Sequence, residues 1–404
     1  MSTVQAVNPL TNIEVNAKDV SLPRLRLEFL DGIRGLTALF IVFHHGFLAL
    51  TKHTTQPLPA NVLKTWGFLD YGHYAVTVFI VLSGFVLMLP VVRATDGQLQ
   101  GGIFHYLKRR ARRILPPYYA ALVLSLAAIA FTPWRHGGNG WWDGALPAFS
   151  PGVIVSHILL LHNAWTNWIY KINGPFWSVA TEWQIYFVFA LCLLPLWRRF
   201  GMMVVILSSF AITLLPYVLL PHFYHFERAS PWYLGLFALG MAGAELCASK
   251  SGSPSWYARV PWGCLTCLFF GVALAQTMLW QDISLWYVDP TFGVAATCFI
   301  LYCHRLKTDG TAQPRLGVTR LLESAPAVWM GTFSYSLYLI HYPVLSLVHL
   351  FLKRNGFSAM TQFELLMTLG IALCICLAYG FHLVFERRFM SASPTSGKTR
   401  ALRN

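Results

Sequence analysis

The sequence predicts an all-α protein, a polytopic transmembrane helical bundle of about ten spans plus one candidate re-entrant half-helix. Of its 404 residues, 56% are hydrophobic and only 11% are charged, and the mean hydropathy is +0.52. A soluble domain carries roughly a quarter charged residues, because its surface must face water. Most of the surface of the present protein must therefore face something other than water. The 15 Trp and 17 Tyr also suit membrane interfaces.

Apolar runs of membrane-spanning length recur along the chain. A helix needs roughly 20 apolar residues to cross the hydrocarbon core. We predict spans at 35–52, 73–92, 114–132, 176–195, 202–220, 231–247, 260–280, 286–303, 327–350 and 363–385. A further apolar stretch, 152–165, is short, carries two histidines and ends in a polar sequence. It predicts either a full span or a re-entrant half-helix.

The positive charges decide between these two topologies. If the N-terminus is inside and 152–165 does not cross, 23 of the 30 Lys and Arg residues fall inside and 7 outside. Positively charged loops stay on the cytoplasmic side. This favours ten spans with both termini cytoplasmic. Because the charges lie in short clusters between apolar runs, the net charge of +14 indicates membrane loops and no nucleic-acid partner.

The domain organisation follows from the same pattern. Residues 1–26 are polar and are expected to form a cytoplasmic tail. Residues 27–389 form one transmembrane domain. Residues 390–404 are expected to be a disordered, basic cytoplasmic tail.

The first span carries two polar groups on one face. Arg34 and His45 are eleven positions apart, which on a helix is within about 20° of the same direction and roughly 16 Å along the axis. The adjacent His44 points about 100° away. Polar groups inside a span are costly and indicate function by default. We interpret the pair as an anion-binding arginine and a deeper, reactive imidazole. The alternative is an interface anchor and a packing histidine.

A basic cluster follows the second span. Between Lys108 and Arg113, five of six residues are positively charged, which exceeds what topology needs. The planar guanidinium group suits phosphate recognition. The cluster is therefore either a site for a phosphorylated cofactor or a site for anionic lipid headgroups. In the second span itself, Ser83 beside Gly84 favours close helix packing.

A polar stripe lies at the start of the span 176–195. Ser178, Glu182 and Tyr186 recur every four residues and so share one helix face. A buried carboxylate must be paired or protonated, so Glu182 is expected to face the bundle interior. The alternative is that Glu182 only ties two helices together.

A second stripe lies in the span 327–350. Ser334, Tyr338 and His341 share a face there. We favour a hydrogen-bonded packing role for His341; the alternative is a catalytic or ligand-orienting imidazole.

Six motifs in one order resemble the acyltransferase-3 family of membrane O-acyltransferases. They read LDGIRGLTALFIVFHH, FIVLSGFVL, RRARRILPPYY, NGPFWSVATEWQIY, GTFSYSLYLIHYP and FERRF. The resemblance covers about residues 27–389, and although each motif alone is weak, six in register are strong. It implies transfer of an acyl group, most often acetyl, from cytoplasmic acyl-CoA to carbohydrate hydroxyls at or beyond the outer face. We expect no fused SGNH-type hydrolase domain.

The resemblance also assigns roles. The family's Arg-x10-His motif falls on Arg34 and His45, its RxxR motif on Arg110 and Arg113, and its WSxxxE element on Trp177, Ser178 and Glu182. It implies that His45 acts either as a general base or as an acylated nucleophile. Arg34, Arg110 and Arg113 would hold the CoA phosphates, and Glu182 would orient His45 or the acceptor.

The remaining expectations complete this hypothesis. Ser83, Trp177, Ser178, Tyr186, Tyr338 and His341 are expected to support the site. Ile80 replaces a phenylalanine usual in the family, and we expect it to lie away from the chemistry. The donor substrate would be acyl-CoA, chiefly acetyl-CoA, with no permanently bound cofactor or metal. The partners would be the lipid bilayer and a carbohydrate or glycolipid acceptor, and the location a bacterial inner membrane.

Two alternative functions belong to other classes. One is an interaction scaffold, which would tolerate substitution of His45. A transporter or flippase for an anionic lipid or glycan explains the polar stripes and basic loops equally well. It gives no reason for an arginine and a histidine aligned on one span.

Overall fold

The computed structural model describes residues 27–52, 57–132, 149–219, 229–248, 256–280, 284–308 and 317–390. Within these ranges the chain is helical and has no strand, so the predicted all-α fold is confirmed. Apart from residue 390, the two predicted tails lie outside the described residues, as does 133–148 of the longest connection.

The described helices follow the predicted order. They are α1 (Glu28–Lys52), α2 (Ala60–Trp66), α3 (His73–Arg93), α4 (Gly102–Phe131), α5 (Pro151–Ile158), α6 (Phe176–Phe200), α7 (Met202–Leu219), α8 (Tyr233–Ala248), α9 (Trp262–Leu279), α10 (Leu285–Thr308), α11 (Gly317–Leu322), α12 (Ala325–Thr332), α13 (Ser334–Arg354) and α14 (Ala359–Phe389). Eight helical stretches are long and apolar enough to cross a membrane, and α7 and α8 are shorter apolar helices. Together these ten coincide with the ten predicted spans.

The stretch 152–165 does not cross. Its helix α5 has eight residues and is about 12 Å long, against a hydrocarbon core of about 30 Å. The carbonyl oxygens of His157 and Ile158 accept hydrogen bonds from the hydroxyls of Tyr118 and Tyr119, at 2.9 and 2.8 Å. Tyr118 lies about 20 Å before the end of α4. The end of α5 thus reaches into the bundle, as a re-entrant half-helix would.

Two boundaries differ from the prediction. The span predicted at 114–132 begins at Gly102, so the whole basic cluster is helical. The span predicted at 327–350 is broken, because α12 ends at Thr332 and α13 starts at Ser334. Phe333 between them has a backbone φ of −123°, outside the helical region. Hydropathy alone does not register such a break.

Connections predicted on the same side of the membrane contact one another. Arg198, in the last turn of α6, donates to the carbonyl of Gly97 after α3 at 3.0 Å. Arg305, at the end of α10, donates to the carbonyl of Val260 before α9 at 2.9 Å. We call this the basic end of the bundle. At the other end, which we call the opposite end, Asp289 of α10 contacts His73 of α3. This alternation is what ten crossings require.

Helices α3 and α8 form the most extensive helix pair of the bundle. The pair is close because each helix places a glycine against the other backbone. A methyl group on Gly240 would overlap with the carbonyl oxygen of Val81, and one on Gly84 with that of Phe237. Small residues permit such approach between membrane helices. The predicted packing role of the Ser83–Gly84 pair is confirmed for its glycine.

This packing makes a stability prediction. Gly240→Ala should lower the free energy of unfolding by about 1–3 kcal/mol, because overpacking forces α3 and α8 apart. Gly271→Ala is the matched control: Gly271 on α9 has open space beside it, and alanine should be neutral or stabilise by up to about 1 kcal/mol. Thermal unfolding of both variants in detergent measures the difference. Equal melting temperatures would contradict close α3–α8 packing.

Candidate active site

A cavity of about 100 Å³ lies between α1, α3, α4, α6 and α13. Eight of the eleven residues singled out from the sequence line it, namely Arg34, Ser83, Arg110, Arg113, Ser178, Glu182, Tyr186 and Tyr338. The other three, His45, Trp177 and His341, do not. Ile80 also lines the cavity, so the expectation that this position lies away from the site is wrong.

Three guanidinium groups belong to this cavity. Arg110 and Arg113 are three residues apart on α4 and so share the face that lines it. The other face of the same cluster, with Lys108 and Arg112, is exposed. The buried Nε of Arg110 has no hydrogen-bond partner among the described residues. Among the described residues, the side chain of Arg34 hydrogen-bonds only to Asp31, at a long 3.5 Å. The cavity wall therefore has capacity to bind an anion.

The single carboxylate of the cavity wall is already held by hydroxyls. Glu182 Oε1 accepts hydrogen bonds from Ser83 Oγ and from Tyr186, both at 2.5 Å. Ser83 therefore bonds Glu182 in addition to flanking a packing glycine. These contacts give no support to the expectation that Glu182 orients His45. They do confirm that Ser178, Glu182 and Tyr186 form one polar stripe facing the interior.

Two further hydroxyls meet at the far side of the cavity. Ser178 Oγ lies 2.5 Å from the hydroxyl of Tyr338. Both hydroxyls also reach the carbonyl oxygen of Pro175, at 3.2 and 3.0 Å. This contact joins α6 to α13 and fixes the ring of Tyr338, which lies 5.8 Å from the ring of His341.

His45 is paired with a second imidazole. Its Nδ1 lies 3.0 Å from Nε2 of His341 and 3.2 Å from the carbonyl oxygen of Ile41. His341 is thus buried and hydrogen-bonded, as the favoured packing role requires, and one of its partners is the candidate reactive group. Since α1 and α13 are far apart in sequence, periodicity could not predict this pairing.

The backbone determines the tautomers of this pair. His341 Nδ1 lies 3.0 Å from the carbonyl oxygen of Leu337, which only accepts, so Nδ1 carries the proton. In neutral His341, Nε2 is then an acceptor, and His45 Nδ1–H donates to it. The lone pair of His45 is thereby placed on Nε2. A lone pair held in one orientation is what a general base needs.

The neighbour His44 is held elsewhere. Its Nδ1 donates to the carbonyl oxygen of Leu69 at 2.7 Å. The His44 ring meets the His45 ring edge-on, with centroids 4.8 Å apart. The divergence of the two side chains follows from the helix turn, as the sequence predicts.

Sequence reasoning left two buried carboxylates, Asp289 and Glu386, without a role. Glu386 is held by Ser336 and His382. Asp289 is fully buried at the opposite end and contacts His73, whose ring stacks on Trp177. The signal was present, because Asp289 stands inside the predicted span 286–303, where a charged residue is expensive.

Comparisons with known proteins agree with the sequence motifs. The model of an acyltransferase domain matches residues 27–381. The acyltransferase MdmB of Streptomyces mycarofaciens is 26% identical over 371 residues, covering 81% of this chain and 81% of that protein. Protein 2 in the picA locus of Rhizobium radiobacter is 30% identical over 169 residues, covering 41% of this chain and 78% of that protein. No solved structure gave a significant match.

The histidine pair makes a spectroscopic prediction. Solid-state NMR of protein with isotope-labelled imidazole nitrogens should show His45 protonated at Nδ1 and unprotonated at Nε2. His341→Phe removes the acceptor and should shift His45 towards a mixture of tautomers. His349→Phe on the same helix α13 is the control and should leave His45 unchanged. A proton on His45 Nε2 in the unaltered protein would contradict the arrangement.

Proposed function

Because the chain belongs to the acyltransferase-3 family of membrane acyltransferases, we propose that it transfers a small acyl group from cytoplasmic acyl-CoA to a carbohydrate hydroxyl. The acyl group is acetyl in the simplest case. The acceptor is a cell-surface or exported carbohydrate or glycolipid. The observation that carries this proposal is one cavity with a cluster of arginines at one end and an oriented imidazole beyond the other.

The arginines suit the donor. CoA carries phosphate groups far from its thioester, at the other end of a long pantetheine arm. Arg34, Arg110 and Arg113 would bind those phosphates with charge-assisted, bidentate hydrogen bonds. His45 lies roughly 16 Å farther along α1, so phosphates and thioester would occupy separate places. Arg110 supports this assignment, since a buried N–H without an acceptor is costly unless a ligand provides one.

The size of the cavity favours a small acyl group. Sites that enclose a whole ligand measure about 300–1,000 Å³, against about 100 Å³ here. The nucleotide of CoA would therefore remain at the basic end, and only the thioester end of the arm would enter. Ile80, in place of a phenylalanine, leaves more room in the wall than the larger ring would.

The chemistry is a proton transfer coupled to acyl exchange. His45 Nε2 takes the proton of the acceptor hydroxyl as its oxygen attacks the thioester carbonyl carbon. The carbon–oxygen bond forms, the carbon–sulfur bond breaks, and the proton passes from the imidazolium to the departing thiolate. The products are an ester and free CoA thiol. His341 acts as a positioning residue, since it accepts the Nδ1–H of His45 throughout.

The proposed orientation follows the charge distribution. The basic end would face the cytoplasm, where acyl-CoA is found, with both termini on that side. The opposite end would face the outside, where the acceptor enters. In a bacterium, the proposed location would be the inner membrane.

The donor site can be tested by substituting the two faces of the basic cluster separately. Replacing Arg110 and Arg113 together by Gln should raise the apparent KM for acetyl-CoA at least tenfold, because two charge-assisted contacts to phosphate are lost. Steady-state thiol release in membranes measures it.

The same cluster supplies the control. Replacing Lys108 and Arg112 by Gln removes the same charge from the exposed face. The KM should then change less than threefold. Equal effects of the two double variants would mean that the cluster acts through overall charge, as a lipid or topology anchor would.

The adjacent histidines test the catalytic assignment. His45→Ala should lower the rate of acyl transfer by roughly 10²-fold or more, the range expected for a lost general base. His44→Ala should retain much more activity, since His44 bonds to Leu69 and not to His341. Acetyl transfer is measured in membranes matched for expression. An inactive His44→Ala beside an active His45→Ala would overturn the assignment.

A further inference from the structure

A second histidine–carboxylate pair lies at the opposite end. We call His73 and Asp289 the outer dyad; His73 Nε2 lies 3.1 Å from Asp289 Oδ2. Thr77 donates to Oδ1 at 3.1 Å, and Trp232 donates to Oδ2 at 2.7 Å. Asp289 is fully buried, and its oxygens already accept three hydrogen bonds. The carboxylate therefore fixes its neighbours and has little capacity to bind a ligand.

The outer dyad leaves one ring nitrogen of His73 available for a ligand. Because the carboxylate accepts, His73 Nε2 carries the proton, which is shared with the hydroxyl of Tyr233 at 3.2 Å. No residue in the described part of the chain hydrogen-bonds to Nδ1. The side chain of His73 is 23% exposed, whereas that of Asp289 is 0% exposed. The dyad thus holds one nitrogen of a fixed ring available.

The imidazole lies just beyond the cavity. Val76, three residues along α3 from His73, lines the cavity wall, so His73 is one helical turn farther towards the opposite end. On the facing helix, Ser178 lines the cavity and its neighbour Trp177 stacks on His73, with ring centroids 6.1 Å apart and planes at 7°. Both helices thus place the outer dyad at the far end of the cavity.

This end of the cavity is also where His45 lies. The ring of His44 packs on the backbone of Gly72, so closely that a methyl group there would overlap it. His44 in turn meets His45 edge-on. His44 therefore contacts both the reactive imidazole and the chain segment that carries His73.

We propose that the outer dyad is the acceptor subsite, where His73 Nδ1 binds one hydroxyl of a carbohydrate and a neighbouring hydroxyl is presented to His45. The proposal rests on the proposed acyl transfer and adds where the acceptor binds. A hydroxyl both donates and accepts, so it pairs with Nδ1 whatever the charge of the ring. Aromatic rings around His73, with Tyr74 at 5.6 Å and Tyr233 at 6.2 Å, complete a site of few polar and many apolar groups.

The test measures binding, without turnover. Purified protein in nanodiscs is titrated with methyl hexopyranosides and with their monodeoxy derivatives, each lacking one hydroxyl. The unaltered protein should bind one monodeoxy sugar about tenfold more weakly than its parent, the loss expected for one hydrogen bond. His73→Phe keeps a flat ring stacked on Trp177 but removes Nδ1. This variant should therefore bind the parent sugar and its monodeoxy derivative with the same affinity.

Two further variants separate binding from folding. Thr77→Val also removes a partner of Asp289 but leaves the bond between His73 and Asp289; it should lower stability and keep the tenfold hydroxyl selectivity. Asp289→Asn turns an amide towards His73 and no longer fixes the tautomer, so it should reduce that selectivity. If Thr77→Val loses the selectivity as fully as His73→Phe, the dyad is only a structural tie between helices.

The failure of this proposal is distinct from failure of the proposed function. If no hexopyranoside binds, or if His73→Phe keeps the hydroxyl selectivity, the acceptor subsite is overturned even when thiol is still released from acetyl-CoA. If sugars bind with the predicted selectivity but no thiol is ever released, the subsite stands and the acyl transfer fails.

Discussion

Polar groups inside a bundle that faces lipid must find partners within the protein, and this constraint organises the rest of the structure. A carboxylate or imidazole left alone in hydrocarbon costs several kcal/mol. Glu182 is accordingly held by Ser83 and Tyr186, and His45 by His341. Each of these contacts except Tyr186 to Glu182 joins two different helices. The polar side chains therefore bind the helices together and also fix their own positions. Arg110, which lines the cavity, is one exception, because its buried Nε has no hydrogen-bond partner among the described residues.

The polar side chains follow a fixed order from the basic end of the bundle to the opposite end. Arginines lie towards the basic end, the hydroxyl and carboxylate stripe follows, and the histidines lie beyond the cavity towards the opposite end. In the proposed function, an anionic donor and a hydroxyl acceptor would approach from opposite sides of the membrane and meet without either one crossing it. The small cavity between them would admit an acyl group and exclude the bulk of both substrates.

Helix periodicity predicted which residues of a single helix share a face in the site. The faces shared by Arg110 with Arg113, and by Ser178 with Glu182 and Tyr186, depend only on 3.6 residues per turn, and both sets line the cavity. Contacts between residues of different helices depend on which helices pack together, and the sequence alone does not predict that. The contact of His341 with His45 was therefore not predicted, nor was the contact of Glu182 with Ser83. The break at Phe333 was missed because both halves are apolar. Asp289 was readable as a charge within a span but was overlooked.

The central claim is that acyl groups cross from a cytoplasmic thioester to an external hydroxyl through this bundle. The direct measurement uses sealed membrane vesicles in which isotope-labelled acetyl-CoA is supplied only on the side of the basic end. The account predicts label in ester linkage to carbohydrate on the other side, with one equivalent of free CoA thiol released per ester formed. Carbohydrate or lipid appearing across the membrane with no thiol release would contradict it, and would identify the protein as a transporter.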